Sequence, residues 1–475
     1  MKTIDIQEAV RLVAEGTTLS PSERLELQQQ RLRELVGYVR EHSPYFAKLY
    51  ADLPDHFTLA DLPYTEKPTL LEHYNDWVTD REVTLDGVLK YVSRPISDRS
   101  RLLGKYTALC TSGSTGNPLP MVRDEYHNNI HGAMIMLRLN KGVDREILNI
   151  SHHKVASVIH TAPTASSYNA FLRTQAQFPQ AADNMLALSL MENIDDIVKK
   201  LNDFQPEMLS GYASSLLLLA LEKEKGHLNI PVKLITNSAE LLSEEVYERI
   251  HKAFGCPVHN NYCMTEGGEI AMTNGCPHLH LNEDWVIVEP VDAQKRPMPI
   301  GSEAFSEGIF ITDLSNFIQP IIRYYVTDRV RILPPPSPND QSTNIPNDQS
   351  TNLPNDQISP NDQNCSPLPI LQIDGRVFET FTLCGKSFTM LSIHAKAEMW
   401  PGLLKFQVVQ TGPDTMELRG VCAADANPDS VLSSLAEKLQ IYFRQNGCES
   451  AVFTYSTEPL LYNARGGKIP RYIQK

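Results

Sequence analysis

The sequence has no apolar run long enough to cross a membrane. Its longest apolar cluster, residues 216–221, stops at Glu222, far short of the ~20 residues a bilayer requires. The chain's start lacks the pattern of a secretory leader, because Asp5 and Glu8 fall where an unbroken apolar stretch is needed. These absences predict a cytoplasmic protein with no membrane partner. Basic charge is scarce: 43 Lys and Arg stand against 57 Asp and Glu, a formal charge of −14. That excludes the basic field of a nucleic-acid binder and a polybasic membrane anchor. The eight cysteines are scattered and form no Cys-x-x-Cys pair, so no disulfide framework is expected and the thiols read as plain buried residues.

What is present is core-forming material. The chain has 475 residues, 41% hydrophobic and 21% charged. At roughly 150 residues per domain this predicts two or three domains. Ser20-Pro21-Ser22-Glu23 spells a capping box with proline in the first turn. Leu25, Leu32, Leu35, Val36 and Val39 follow at helical spacing. Another helix runs from Ser243 as cap to Gly255 as stop, with a strand from Val258 to Tyr262 after it. Between residues 100 and 330 strand-like and helical segments alternate, which predicts a large α/β body. The tetrapeptide Pro-Asn-Asp-Gln begins at Pro338, Pro346, Pro354 and Pro360. With no aromatic residue and few apolar ones, this tract reads as a flexible insertion rather than a solenoid. The tail of about a hundred residues carries alternating strands around a helix capped by Asn427 and Pro428 and ended by Gly447, a small α+β lid or docking module. The expected organisation is a large domain over 1–333, an insertion over 334–367 and a lid over 368–475.

The stretch Thr111, Ser112, Gly113, Ser114, Thr115, Gly116 can turn tightly and aim backbone N–H groups at one point, as a phosphate cradle does. It is not a Walker A loop, for no Gly-Lys-Ser/Thr follows, and composition alone equally fits a surface loop. Four further motifs lie downstream in order: Asn261-Tyr262-Cys263-Met264-Thr265-Glu266; Ile322-Arg323-Tyr324-Tyr325 leading to Asp328-Arg329; Asp374-Gly375-Arg376; and Gly466-Gly467-Lys468-Ile469-Pro470-Arg471. Together the five resemble the core motifs of the adenylate-forming superfamily of acyl-CoA synthetases, peptide-synthetase adenylation domains and luciferases. The look is closest to the phenylacetate–coenzyme A ligase-like branch, which has similar Ser-Pro-Tyr (Ser43 to Tyr45) and Leu-Pro-x-Thr-x-Lys (Leu62 to Lys67) stretches.

The resemblance implies an α/β fold with a large multi-sheet domain and a small mobile α+β lid. It implies an ATP- and Mg²⁺-dependent ligase that activates a carboxylic acid, aryl or arylacetic, as an acyl-adenylate and passes the acyl group to coenzyme A. The 111–116 loop would grip the ATP phosphates. Thr265 would offer its hydroxyl to phosphate, and Glu266 would be the hard oxygen ligand of Mg²⁺. Ser238, Ala239, Glu240 and Tyr262 would flank the nucleotide. Asp328 would accept from the ribose hydroxyls, Arg376 would reach the nucleotide, and Lys468 would offset charge developing at the α-phosphate. Some positions depart from the pattern: Cys263 and Thr327 stand where glycine is usual, Asn117 where lysine is, and Phe378-Glu379 where an acidic hinge pair is. Gly385-Lys386, the turn used near the thioester channel, is present.

Cys276, His280 and Cys365 are candidate structural zinc ligands by resemblance to a Cys…His site of this branch; a degenerate site without metal is the alternative. His127 and His131 have His-x₃-His spacing but no zincin glutamate, and read as ordinary helix surface or core. His152, His153, His160 and the Gly211-Tyr212 turn fall where the branch builds its acyl pocket; a satisfied core residue is the alternative for each histidine. A homodimer is an arrangement the resemblance allows. Two other functions stay open: an adenylating enzyme that passes its acyl group to a carrier protein or an amine, and a non-catalytic scaffold.

Overall fold

The computed structural model describes residues 3–94, 101–111, 119–161, 165–189, 192, 194–335, 366–376, 380–389, 393, 397, 400–423, 426–445, 447–461 and 472–474. These form two compact units. The first takes in the described residues up to Val326 together with Val330–Ile373. The second takes in Thr327–Arg329 and the described residues from Asp374 onward.

In the first unit, helices start and stop where local chemistry directs. Ser20 caps the helix Pro21–His42, and the Ser20 N–H donates to the Glu23 carboxylate at 2.8 Å in the reciprocal box expected. Leu32, Leu35, Val36 and Val39 are fully buried. Leu25 is not: it is 57% exposed, a correction to the periodicity. At that turn the inward positions are polar. Arg24 Nε donates to Glu283 at 2.7 Å, and Gln28 Nε2 donates to the Glu283 carbonyl at 2.6 Å. Ser243 caps Glu244–Phe254, and Gly255 ends it in the left-handed conformation at φ +65°, where a Cβ would be strained.

A nine-stranded sheet carries the site. Its spatial order is Asp328–Leu333, Ile370–Arg376, Leu279–Leu281, Gly268–Thr273, Val258–Met264, Leu234–Ser238, Met208–Gly211, Val155–Ile159, Met185–Ser189. The last five run parallel, joined through helices such as Ile194–Phe204, Ala213–Glu224 and Glu244–Phe254. Parallel order puts all their carboxyl ends on one edge, the edge where α/β sheets bind ligands. The α/β class expected from the alternation is the one observed. Ile370 and Leu371 pair with His280 and Leu279. Residues 370–373 therefore count with the first unit, and the second resumes at Asp374.

The second unit has its own core. Its four-stranded sheet, in the order Val452–Ser456, Thr415–Cys422, Leu403–Gln410, Tyr472–Gln474, packs its apolar side chains with those of the helix Pro428–Gln445. Leu432, Leu435, Leu439 and Phe443 meet Val408, Met416, Leu418 and Phe453. A hairpin, Thr380–Leu383 with Lys386–Thr389, turns at Cys384 and Gly385, both at positive φ, as a tight two-residue turn requires. Here one expectation is corrected. Cys384 and Cys448 form a disulfide, their Cα atoms 5.5 Å apart across 64 positions of sequence. The fold brings them together by setting the hairpin turn against the residues that follow the helix, an approach no spacing rule foretells. Reduction with dithiothreitol should destabilise this unit by about 2–4 kcal/mol, the usual worth of a bridge closing a long loop. Equal denaturant midpoints with and without reductant would contradict this. No helix among the described residues is long and apolar enough to cross a membrane.

Candidate active site

Strands Val258–Met264 and Gly268–Thr273 pair antiparallel, with Met264 opposite Gly268. Thr265, Glu266 and Gly267 are therefore the three-residue tip of a hairpin. Gly268 sits at φ +63°, the left-handed residue that closes such a loop. The tip is held from one side by Arg123, whose Nη2 donates to the Thr265 carbonyl at 2.7 Å. The Tyr324 hydroxyl stands 3.5 Å from Glu266 Oε1. Burial and the Glu266 carboxylate together hold that phenol well above its ordinary pKa, so it stays protonated.

Lys67 also faces Glu266. Burial lowers its pKa and the Glu266 carboxylate opposes the shift. Its segment is fixed by Thr65, whose N–H donates to the Arg323 carbonyl and whose own carbonyl accepts from Tyr325, both at 2.9 Å. The stretch from Leu62 to Lys67, read from sequence only as a branch feature, thus brings a cation within the electrostatic range of the Glu266 carboxylate.

Ser238 ends its parallel strand beside Asn261. The chain then turns through Ala239 at φ +64°. Glu240 Oε2 accepts from the Ser214 N–H at 2.9 Å, and the Glu240 carbonyl accepts from Asn237 Nδ2 at 3.0 Å. Tyr262 lies one position further along the next strand, opposite Ala271. Ser238, Ala239, Glu240, Tyr262, Thr265 and Glu266 therefore share the carboxyl edge of two adjacent strands. Burial pushes the Cys263 thiol up to about 12, so it is no thiolate nucleophile.

Thr111 closes the neck of the glycine-rich loop. The Thr111 N–H donates to the Leu119 carbonyl at 3.0 Å, and Thr111 Oγ1 accepts from the Leu119 N–H at 2.9 Å. Ser112, Gly113, Ser114, Thr115 and Gly116 lie outside the described residues, as do Asn117, Phe378, Glu379, Cys365 and Lys468. In the second unit Asp328 is buried, and Arg329 pairs with Asp374 at 2.7 Å. Arg376 ends the strand Ile370–Arg376, and its side chain is outside the described atoms.

Of the candidate zinc ligands, Cys276 Sγ and His280 Nε2 are 3.0 Å apart. His280 Nδ1 donates to the Leu368 carbonyl at 2.9 Å. That fixes the tautomer and leaves the Nε2 lone pair to face the sulfur, and it is the tautomer a metal-bound imidazole needs. Of the candidate pocket histidines, His152 is an exposed partner of Glu146, and His153 pairs with Glu207, both at 2.6 Å. His160 follows the strand Val155–Ile159, and its N–H donates to the Tyr212 hydroxyl at 3.4 Å. Tyr212 packs with Ile159, Phe171 and Met185, and its hydroxyl lies 2.8 Å from Ser167 Oγ.

The sequence reading missed a buried polar cluster behind the hairpin tip. His127 and His131 are core residues, as one of the two expected readings had it, but they have charged company. His131 Nδ1 is 2.7 Å from Glu269 Oε2, and its Nε2 is 3.1 Å from Ser315 Oγ. Ser315 Oγ donates to Asp313 at 2.7 Å and lies 2.9 Å from His127 Nδ1. Burial drives His127 down to about 3. For His131 burial acts the same way but is outweighed by the Asp313 and Glu269 carboxylates, which raise it to about 9. The His-x₃-His spacing was visible in the sequence; Asp313 and Ser315 lie over 180 residues away, and nothing local marks them as partners.

No family model matches the chain. Protein CapK of Staphylococcus aureus is 25% identical over 321 residues, covering 65% of this chain and 63% of CapK. The phenylacetate-coenzyme A ligase of Thermus thermophilus is 23% identical over 328 residues, covering 65% of this chain and 66% of the ligase. The chain thus matches just under two thirds of the length of either relative. Among solved structures, a 2-hydroxyisobutyryl-CoA ligase in the postadenylation state in complex with R3-HIB-AMP superposes with a TM-score of 0.64 at 17% identity, covering 96% of this chain and 91% of that one. This superposition shows the fold: the chain is built as that acyl-CoA ligase is.

Proposed function

We infer that the chain is an AMP-forming acid–thiol ligase. It joins ATP and a carboxylic acid into an acyl-adenylate and pyrophosphate, then passes the acyl group to coenzyme A. The observation that carries this reading is the hairpin tip: Thr265 and Glu266 stand one strand from Ser238–Glu240 on the carboxyl edge of a parallel sheet, within an adenylate-forming fold. The relatives' names supply the chemistry, for one is a phenylacetate-coenzyme A ligase and one holds an acyl-AMP.

In this reading Thr265 donates its hydroxyl to a phosphate oxygen. Glu266, a hard oxygen donor, would hold Mg²⁺, which supplies positive charge to the phosphates. Adenylation converts the carboxylate into an electrophile with a low-pKa leaving group, and Lys468 offsets the charge that develops as it forms. The chain's work is positioning and charge stabilisation. We take the acid to be aryl or arylacetic from the likeness to a phenylacetate-coenzyme A ligase.

The test is a pyrophosphate-release screen over aromatic, aliphatic and amino acids, repeated with coenzyme A, a carrier protein and simple amines as acceptors. Release with an aromatic acid, and thioester only with coenzyme A, is the expected pattern. Acyl transfer only to a carrier protein or an amine would move the chain to that class. Failure to bind ATP would leave a scaffold. We also take zinc to be structural, held by Cys276, His280 and Cys365. Purified protein should then carry about one equivalent, and Cys276→Ser should lower its melting temperature. Metal-free protein of unchanged stability would rule this out.

A further inference from the structure

The cluster behind the hairpin tip has no part in the reaction as described so far. Five side chains converge there from three parts of the first unit. His127 and His131 come from the helix Glu125–Met134, Glu269 from the strand Gly268–Thr273, and Asp313 and Ser315 from the end of the strand Gly308–Asp313 and the residues after it. His127, His131, Asp313 and Ser315 are all buried. Charges this deep are kept only when they face one another. Here Asp313 and Glu269 face His131; burial raises the pKa of Glu269, His131 overrides it downward, and Arg123, which bonds the Thr265 carbonyl, adds to the lowering.

The contact with the hairpin is close. A Cβ built on Gly268 would lie 2.2 Å from His131 Cε1 and 2.5 Å from its Nδ1. The His131 ring therefore fills the space directly beneath the residue that closes the Thr265–Glu266–Gly267 loop. On the next residue the same ring nitrogen, Nδ1, donates to Glu269 Oε2 at 2.7 Å, with the Glu269 backbone nitrogen 3.0 Å away. Its far nitrogen is anchored through Ser315 to Asp313. The imidazole is a spacer of fixed height, gripped at both ends.

We propose that His131 is a positioning residue, which sets the height of Gly268 and so the aim of Thr265 and Glu266. This rests on the ligase reading for its kinetic consequence, though not for its structural one. A misplacement of about 1 Å in such a tip costs on the order of 10²-fold in rate. Asparagine at 131 places its amide near the Nδ1 position and can still reach Glu269. Glutamine instead reaches toward Ser315.

The experiment compares His131→Asn, His131→Gln and His131→Ala. Hydrogen exchange over residues 262–270 is measured without substrates, and kcat and KM for adenylation with them. The expected result is faster exchange there in the Ala and Gln variants than in Asn. With it should come a kcat loss of about 10- to 100-fold that Asn largely rescues, and an unchanged KM for the acid. If all three variants lose activity only in proportion to folded protein, with kcat per folded molecule and exchange unaltered, the proposal is overturned. It is also overturned if the wild type carries stoichiometric zinc that His131→Ala releases without sulfur ligation in the absorption spectrum, since His127, His131 and Asp313, whose ligand atoms lie within 4.8 Å of one another, would then be a metal site. Faster exchange in Ala and Gln, in a wild-type protein that forms no adenylate, supports the spacer and overturns the ligase reading.

Discussion

Replacing Glu266 by glutamine should slow acyl-adenylate formation by about 10²–10³-fold, the scale of losing one pre-organised charge-stabilising group. The substitution keeps size and one acceptor oxygen but removes the negative charge. Its neighbours sharpen the expectation. Lys67, which now has the Glu266 carboxylate opposing its desolvation, would face a neutral amide, and the Tyr324 hydroxyl would keep an acceptor. The fold should survive, because Glu266 sits at a hairpin tip and not in the core. The Mg²⁺ concentration giving half-maximal rate should rise with it. Unchanged Mg²⁺ dependence in a folded, slowed variant would show that the metal is held elsewhere.

Lys468→Ala should slow adenylation by a similar factor, about 10²–10³-fold, and leave ATP binding nearly intact. Gly466-Gly467-Lys468 lies in the tail, whereas Thr111, Thr265 and Glu266 belong to the first unit. If the tail acts only during adenylation, Lys468→Ala should still convert pre-made acyl-adenylate to thioester at the wild-type rate. Restricting the chain near the unit boundary should do the reverse, so Glu379→Pro should impair the thiol step more than adenylation. Equal damage to both half-reactions by Lys468→Ala would mean that the tail does not alternate between two roles.

Much of the fold was legible because its signals are local. Ser20 with Glu23, Ser243 with Gly255, and Asn427 with Pro428 each mark a helix end through bonds made within a few residues, and each holds: the Asn427 side chain accepts from the Ser430 N–H at 3.1 Å. Thr265 and Glu266 carried an expectation of chemistry, but their hairpin was not visible in the sequence, since only strand pairing shows that Gly268 must close the loop. What failed depended on distant partners. Leu25 points outward because Arg24 and Gln28 find Glu283, over 250 residues away. Cys384 and Cys448 pair across two elements of the second unit. Residues 370–373 join the large sheet through Leu279 and His280, on the far side of the Pro-Asn-Asp-Gln tract. The role of His131 was hidden for the same reason: a helical histidine reads as core until Asp313, Ser315 and Glu269 are placed around it.

The central claim is that ATP is cleaved between its α- and β-phosphates to activate a carboxylate. The direct measurement is a product balance with a turned-over acid, run without thiol and then with coenzyme A. Without thiol the account predicts pyrophosphate equal to enzyme-bound acyl-AMP, seen by mass spectrometry of the quenched complex. With coenzyme A, the acyl-AMP should disappear as AMP and thioester rise together. Formation of ADP and phosphate, or thioester with no acyl-AMP in a single turnover, would contradict it.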